Sequence, residues 1–68
     1  MKVKVKLIRE RTEKVIELPD NSTVKDALRK LGYSTQSVVV VKDGSPIVEE
    51  EKLRDNDEIV VYLIASGG

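Results

Sequence analysis

One stretch of this sequence has helical periodicity, and it is too short to stand alone. Thr23 opens it as an N-cap, and Asp26 three residues on completes a capping box. Val24, Ala27, Leu28 and Leu31 recur at helical spacing and form one apolar face. Gly32 stands where a left-handed cap ends a helix. A helix of about ten residues is marginal in water. Its apolar face must dock on a sheet.

The rest of the chain supplies that sheet. Val3, Val5 and Leu7 alternate with Lys2, Lys4 and Lys6, which predicts a strand with one dry and one wet face. Residues 9–14 are all polar and read as a hairpin connection. Val15-Ile16-Glu17-Leu18 is a second strand, stopped by Pro19-Asp20-Asn21. Val38–Val41 is a β-branched third strand, followed by the tight-turn pair Asp43-Gly44. Ser45–Val48 returns as a short strand, which Pro46 confines to an edge. Glu49–Arg54 is polar around one apolar anchor, Leu53, and Asp55-Asn56-Asp57 is a further turn. Glu58–Ala65 is the last strand. The order β-β-α-β-β-β predicts an α+β β-grasp fold, a mixed sheet of about five strands packed on one helix, with the first strand beside the last.

Composition narrows the chemistry. A chain of 68 residues buries only about 60% of its unfolded surface. Its total stability should be roughly 3–10 kcal/mol. There is no cysteine and no histidine. Thiolate nucleophiles, Cys metal sites and the commonest neutral-pH acid/base are therefore missing. Twelve basic and twelve acidic residues cancel, which argues against direct nucleic-acid binding. Tyr33 and Tyr62 are the only aromatics, too few for a base-stacking platform. Glu49-Glu50-Glu51 reads as a solvated loop rather than a paired acid and base. Neither catalytic nor metal-binding residues are expected, and no cofactor. The lysines alternating with valines do not make a signal peptide, and no run reaches the ~20 apolar residues of a membrane span. A cytoplasmic protein with no membrane partner is expected.

One helix covers one face of a sheet, yet the central strands are apolar on both. Val38, Val40, Ile59, Val61 and Leu63 are expected in the core with Val3, Val5, Leu7, Val15, Val24, Leu28 and Leu31. Val39, Val41, Val60, Tyr62 and Ile64 then face away and are expected to dock a protein partner. Lys42, with Lys2, Lys4 and Lys6, is expected to rim that patch. The chain ends Ala65-Ser66-Gly67-Gly68. Two glycines lacking Cβ suit a narrow tunnel, and their carboxylate is a candidate reactive group. The expected division is a domain over residues 1–65 and a tail over 66–68.

These pieces together resemble the ubiquitin-like sulfur carriers and modifiers. The resemblance covers residues 1–68 and rests on Ser22–Leu28 at the helix start, Val41-Lys42-Asp43-Gly44 at the central turn, Leu53–Ile59 before the last strand, and Gly67-Gly68. The group includes thiamine-type and molybdopterin-synthase-type sulfur carriers, the modifier of transfer-RNA thiolation, and archaeal small modifier proteins. The resemblance implies that a partner activating enzyme, using ATP and magnesium, adenylates the Gly68 carboxylate. A thiocarboxylate or an isopeptide follows, with a sulfur-accepting enzyme or target-protein lysines as the next partner. This chain would be substrate and carrier, not enzyme. Ala65-Ser66 replaces the proline-rich approach expected of molybdopterin-type members, so archaeal modification and transfer-RNA thiolation stand equally beside that pathway. A non-catalytic adaptor using the open sheet face is the alternative reading.

Overall fold

The computed structural model describes residues 1–64. In chain order it contains β1 (Lys2–Leu7), β2 (Thr12–Glu17), α1 (Val24–Leu31), β3 (Val38–Lys42), β4 (Ser45–Ile47) and β5 (Asp57–Leu63). The strands form one five-stranded sheet in the order β2-β1-β5-β3-β4. β1 and β5 pair in parallel, Val3 against Asp57 through Leu7 against Val61. The other neighbours are antiparallel. This is the β-grasp arrangement.

The helix packs against one sheet face, and the core lies between them. Val3, Val5 and Ile59 are fully buried, as is Ala27 of α1, with Val24 and Leu28 almost so. Strand alternation places these sheet residues on one side, and the helical repeat brings Val24, Ala27 and Leu28 to meet them. Among the described residues no helix is long and apolar enough to cross a membrane.

Both helix ends are tied. Thr23 N–H donates to Asp26 Oδ2 at 2.9 Å, and the Thr23 hydroxyl reaches the same oxygen at 3.2 Å. The segment after β4 satisfies the next amides: Val24 N–H donates to the Glu51 carbonyl and Lys25 N–H to the Glu49 carbonyl, each at 2.9 Å. Those are helix-terminal donors that have no partner within the helix. Leu53, buried in the core, anchors this strap, and its N–H bonds the Ser22 carbonyl at 2.8 Å. At the other end Gly32 adopts φ 85°, while Gly32 N–H bonds Arg29 O and Tyr33 N–H bonds Leu28 O. This is a Schellman cap.

The Asp43-Gly44 turn has positive φ at both residues, 54° and 80°, as a type I′ hairpin requires. Pro46 lies on the edge strand β4, as its missing donor demands.

Three expectations are corrected. β2 begins at Thr12, inside the polar stretch read as a loop. Val15 is 63% exposed, while Ile16 and Leu18 are buried in its place. Antiparallel pairing sets Val15 opposite Lys4 and Ile16 opposite Val3, so the phase of β2 follows β1. β4 ends at Ile47, leaving Val48 exposed. Leu31 and Leu63 are half-buried at the core's margin. Ala65, expected to finish the last strand, lies outside the described residues, as does the expected boundary with 66–68.

Leu28→Ala should cost ~2–5 kcal/mol, a large share of the total, and should sharply lower the urea midpoint. Gly32→Ala should cost about 1 kcal/mol. A Cβ there meets nothing within 4 Å, so the positive φ alone causes the loss. The Asp26 carboxyl is held below its ordinary 3.8, first by the Thr23 backbone N–H bond. Its stabilising contact is therefore complete above that value and fades as pH falls through the lower folded pKa. Melting curves between about pH 5 and about pH 2 should show wild type losing this advantage over Asp26→Asn.

Candidate functional site

The sheet face opposite the helix has two halves. In one, β5 and β3 place Val60 beside Val41 and Tyr62 beside Val39. Val41 continues to Pro46 on β4. Tyr62 and Ile64 are 44% and 49% exposed, Val39 is exposed, and Val41 and Val60 are half-buried. Their alternation puts all five expected docking residues on this one face. Ile8 extends the patch and was not singled out in the sequence. It lies just past β1, its N–H bonded to the Val61 carbonyl at 3.3 Å, and it is 40% exposed. Its position continues the even-numbered series of Lys2, Lys4 and Lys6, which was the available signal.

The other half is charged and largely self-compensated. Lys2 faces Glu17 and Lys6 faces Glu13 across the β1–β2 ladder. Lys4 lies between Glu13 at 3.8 Å and Glu58 at 3.7 Å. These exposed pairs contribute ~0–1 kcal/mol each. Their main effect is to offset the positive rim expected from the lysines.

Lys42 is a clear correction. It shares the alternation of Val38 and Val40, not that of Val39 and Val41. Its ammonium reaches Asp57 Oδ2 at 3.1 Å, with both side chains mostly buried. The same oxygen accepts the Arg54 N–H at 2.7 Å. Lys42 therefore braces the start of β5 and does not rim the open apolar face.

The chain leaves β5 at one end of this patch. Ile64 N–H donates to the Ser37 carbonyl at 2.9 Å. The Ile8–Arg11 turn lies on the β1 side of the exit, and the Ser34–Ser37 turn on the β3 side. Gly67 and Gly68 lie outside the described residues. The Ile8–Arg11 turn is fixed from behind by Tyr33, whose hydroxyl donates to Glu10 Oε1 at 3.0 Å. Burial and then this bond push the Tyr33 phenol above 10.0.

This architecture has known relatives, and the family match settles the grouping. Residues 1–64 match small archaeal modifier protein 2. The chain belongs to that family. It is a ubiquitin-like small modifier of the modifier and sulfur-carrier group. SAMP1 from Haloferax volcanii is similar in fold, with a TM-score of 0.76 over 100% of both chains at 19% identity. A putative molybdopterin converting factor subunit 1 from Pyrococcus furiosus gives the same TM-score of 0.76 at 25% identity, covering 91% of this chain and 95% of that one. The β-grasp fold expected from the strand and helix order is thus shared with both.

Tyr33 should titrate above 10.0. The folded state holds that proton more tightly than the unfolded chain. The stability it contributes is therefore complete below the ordinary value and is lost as pH rises through the folded pKa. In a Tyr62→Phe background, phenolate absorbance reports Tyr33 alone, and Glu10→Ala should bring its midpoint down.

Proposed function

We propose that the chain is a protein substrate, activated through the Gly68 carboxylate by an ATP-dependent adenylating enzyme. The observation that carries this reading is the placement of the apolar patch. Val39, Val60, Tyr62 and Ile64 share one uncovered face, and that face adjoins the end of β5 from which the tail departs. A partner seated on the patch is thus beside the tail's origin. Membership of the small archaeal modifier protein 2 family supports the same reading.

The chemistry asks little of the carrier. A carboxylate is a poor electrophile. Attack of its oxygen on the α-phosphorus of ATP expels pyrophosphate and leaves an acyl-adenylate. A sulfur nucleophile then displaces AMP to give a thiocarboxylate, or a lysine amine displaces it to give an isopeptide. ATP, magnesium and any catalytic thiol belong to the partner, in the ATP-rich cytoplasm. Gly67 and Gly68 let the backbone approach closely inside a narrow channel. The sheet face supplies the binding energy that holds the tail in place, as apolar surface of this kind commonly does. A sulfur-accepting enzyme or target lysines then receive the activated group.

Deleting Gly68 should abolish ATP–pyrophosphate exchange with the cognate enzyme while leaving the melting temperature unchanged. Tyr62→Glu should raise the carrier concentration needed for half-maximal exchange by roughly tenfold or more, the loss typical of a central interface aromatic. Exchange that continues undiminished without Gly68 would show that the tail is inert and the patch serves a different partner.

A further inference from the structure

β4 is shorter than the strand it pairs with. It ends at Ile47, opposite Val40, whereas β3 begins earlier, at Val38. The first part of β3 therefore has β5 on one side and no strand on the other. Antiparallel strands alternate the side to which their backbone groups turn. Ile64 N–H donates to the Ser37 carbonyl at 2.9 Å, so Ser37, Val39 and Val41 bond towards β5. Val38 turns its N–H and C=O the other way, with Val40 and Lys42. Beyond Ile47 the chain has left the ladder, and the Glu49 and Glu51 carbonyls accept helix amides instead. Among the described residues, the outward backbone groups of Val38 have neither a strand partner nor a turn bond. Val38 is itself buried, and buried backbone polar groups are almost always paired.

A groove runs beside this gap. Val24 and Leu28 of α1 floor it, Ile47 and the exposed Val48 close one end, and Glu49 and Glu50 are the charged residues on its rim. Among the described residues no ammonium or guanidinium comes within 4.0 Å of either carboxylate. Arg29 and Lys30 border a different hollow across the helix, with Asp26. Lys25 and Lys52, the cations of the first helical turn and the strap, are exposed to solvent. The groove thus joins an apolar floor, an unpaired main-chain edge and an acidic rim.

We infer that this groove takes an extended peptide segment of a partner protein, which continues the line of β4, pairs with Val38 and carries an apolar residue preceded by lysine or arginine. A strand antiparallel to β3 runs as β4 does. The segment therefore enters beside Ile47 and Glu50 and leaves towards the Ser34–Ser37 turn. Its residue opposite Val38 exchanges both hydrogen bonds with it and shares its face, which puts that side chain against Leu28. The residues before it meet Glu49 and Glu50, where a cation is favoured. Strand addition takes affinity from the main chain and specificity from alternate side chains. A second copy of this chain is disfavoured, because it would bring its own Glu49 and Glu50 to the same junction. The gap is also too short for open-ended pairing of edges. It opens on the helix side of the sheet, so the segment can be held while a partner covers Tyr62 and Ile64. Nothing in this pairing involves Gly68.

In the free chain the Val38 amide should exchange with solvent ~10-fold or more faster than those of Val39 and Val41, which lie in the β5 ladder. An equally slow Val38 would mean a closed gap and overturn the inference. The binding probe is the peptide acetyl-Lys-Arg-Ile-Thr-Val-Ser-amide, titrated into the isotopically labelled full chain at low ionic strength. Shifts should centre on Val38, Leu28 and Val48–Glu50, and Val38 exchange should slow. Glu49→Lys with Glu50→Lys should weaken binding ~10-fold or more, the difference shrinking near ~0.5 M salt. Glu49→Gln with Glu50→Gln should weaken it less. Both pairs keep the Glu49 carbonyl that bonds the helix, and melting temperatures check their folding. N-methylation of the peptide's isoleucine removes one ladder donor and should weaken binding about fivefold. Three results would each overturn the inference: no shift at Val38 with millimolar peptide, shifts centred on Val60 and Tyr62 instead, or equal binding of acetyl-Glu-Glu-Ile-Thr-Val-Ser-amide. So would Val38 shifts that follow protein concentration without peptide, which would assign the groove to a second copy.

Discussion

The parallel pairing of β1 with β5 is the contact on which the rest of the molecule depends. It joins segments more than fifty residues apart, Val3–Leu7 with Asp57–Val61. Val3, Val5 and Ile59 within it are fully buried. Closing so long a loop is unfavourable, though the cost rises only slowly with length. The apolar contacts across the pair must offset it. Once made, the pair is the centre of the sheet, with β2 added on one side and β3–β4 on the other. The helix then has a continuous apolar floor to cover.

That arrangement produces the uncovered face by arithmetic of sides. A central strand has two faces, and one short helix covers only one of them. β5 and β3 are apolar on both, so valine and tyrosine side chains remain at the surface. The edges are blunted. β2 carries charges at three of its six positions, Glu13, Lys14 and Glu17, and β4 is three residues long with a proline in it. Both features discourage edge-to-edge pairing. The apolar surface left open is thereby the flat face rather than the strand edges.

Much of this was legible because strand alternation is rigid. Assigning Val38 and Val40 inward forces Val39 and Val41 outward, and the same holds from Ile59 to Ile64. The helix limits were legible because Thr23, Asp26 and Gly32 each have a local conformational role. The errors arose where the deciding partner is distant. Val15 and Ile16 are both apolar β-formers, and only the register with β1 tells which one is buried. Lys42 is held by Asp57, fifteen residues away, a partner that local sequence does not show, although its alternation with Val40 points inward. Ile8 breaks the lysine series in type while keeping it in position, so residue type alone does not assign it to the open face. The Tyr33–Glu10 bond joins two loops that have no periodic signal at all.

The central place of β5 has a mechanical consequence. A force applied through the tail acts along the axis of β5, which is held by β1 on one side and β3 on the other. The ladder hydrogen bonds on both sides then bear the load together, in shear, instead of opening one after another like a peeled edge strand. A partner that grips and draws on the tail pulls against the strongest direction of the sheet. The same topology that presents the tail thus lets it serve as a handle under tension while the domain stays folded.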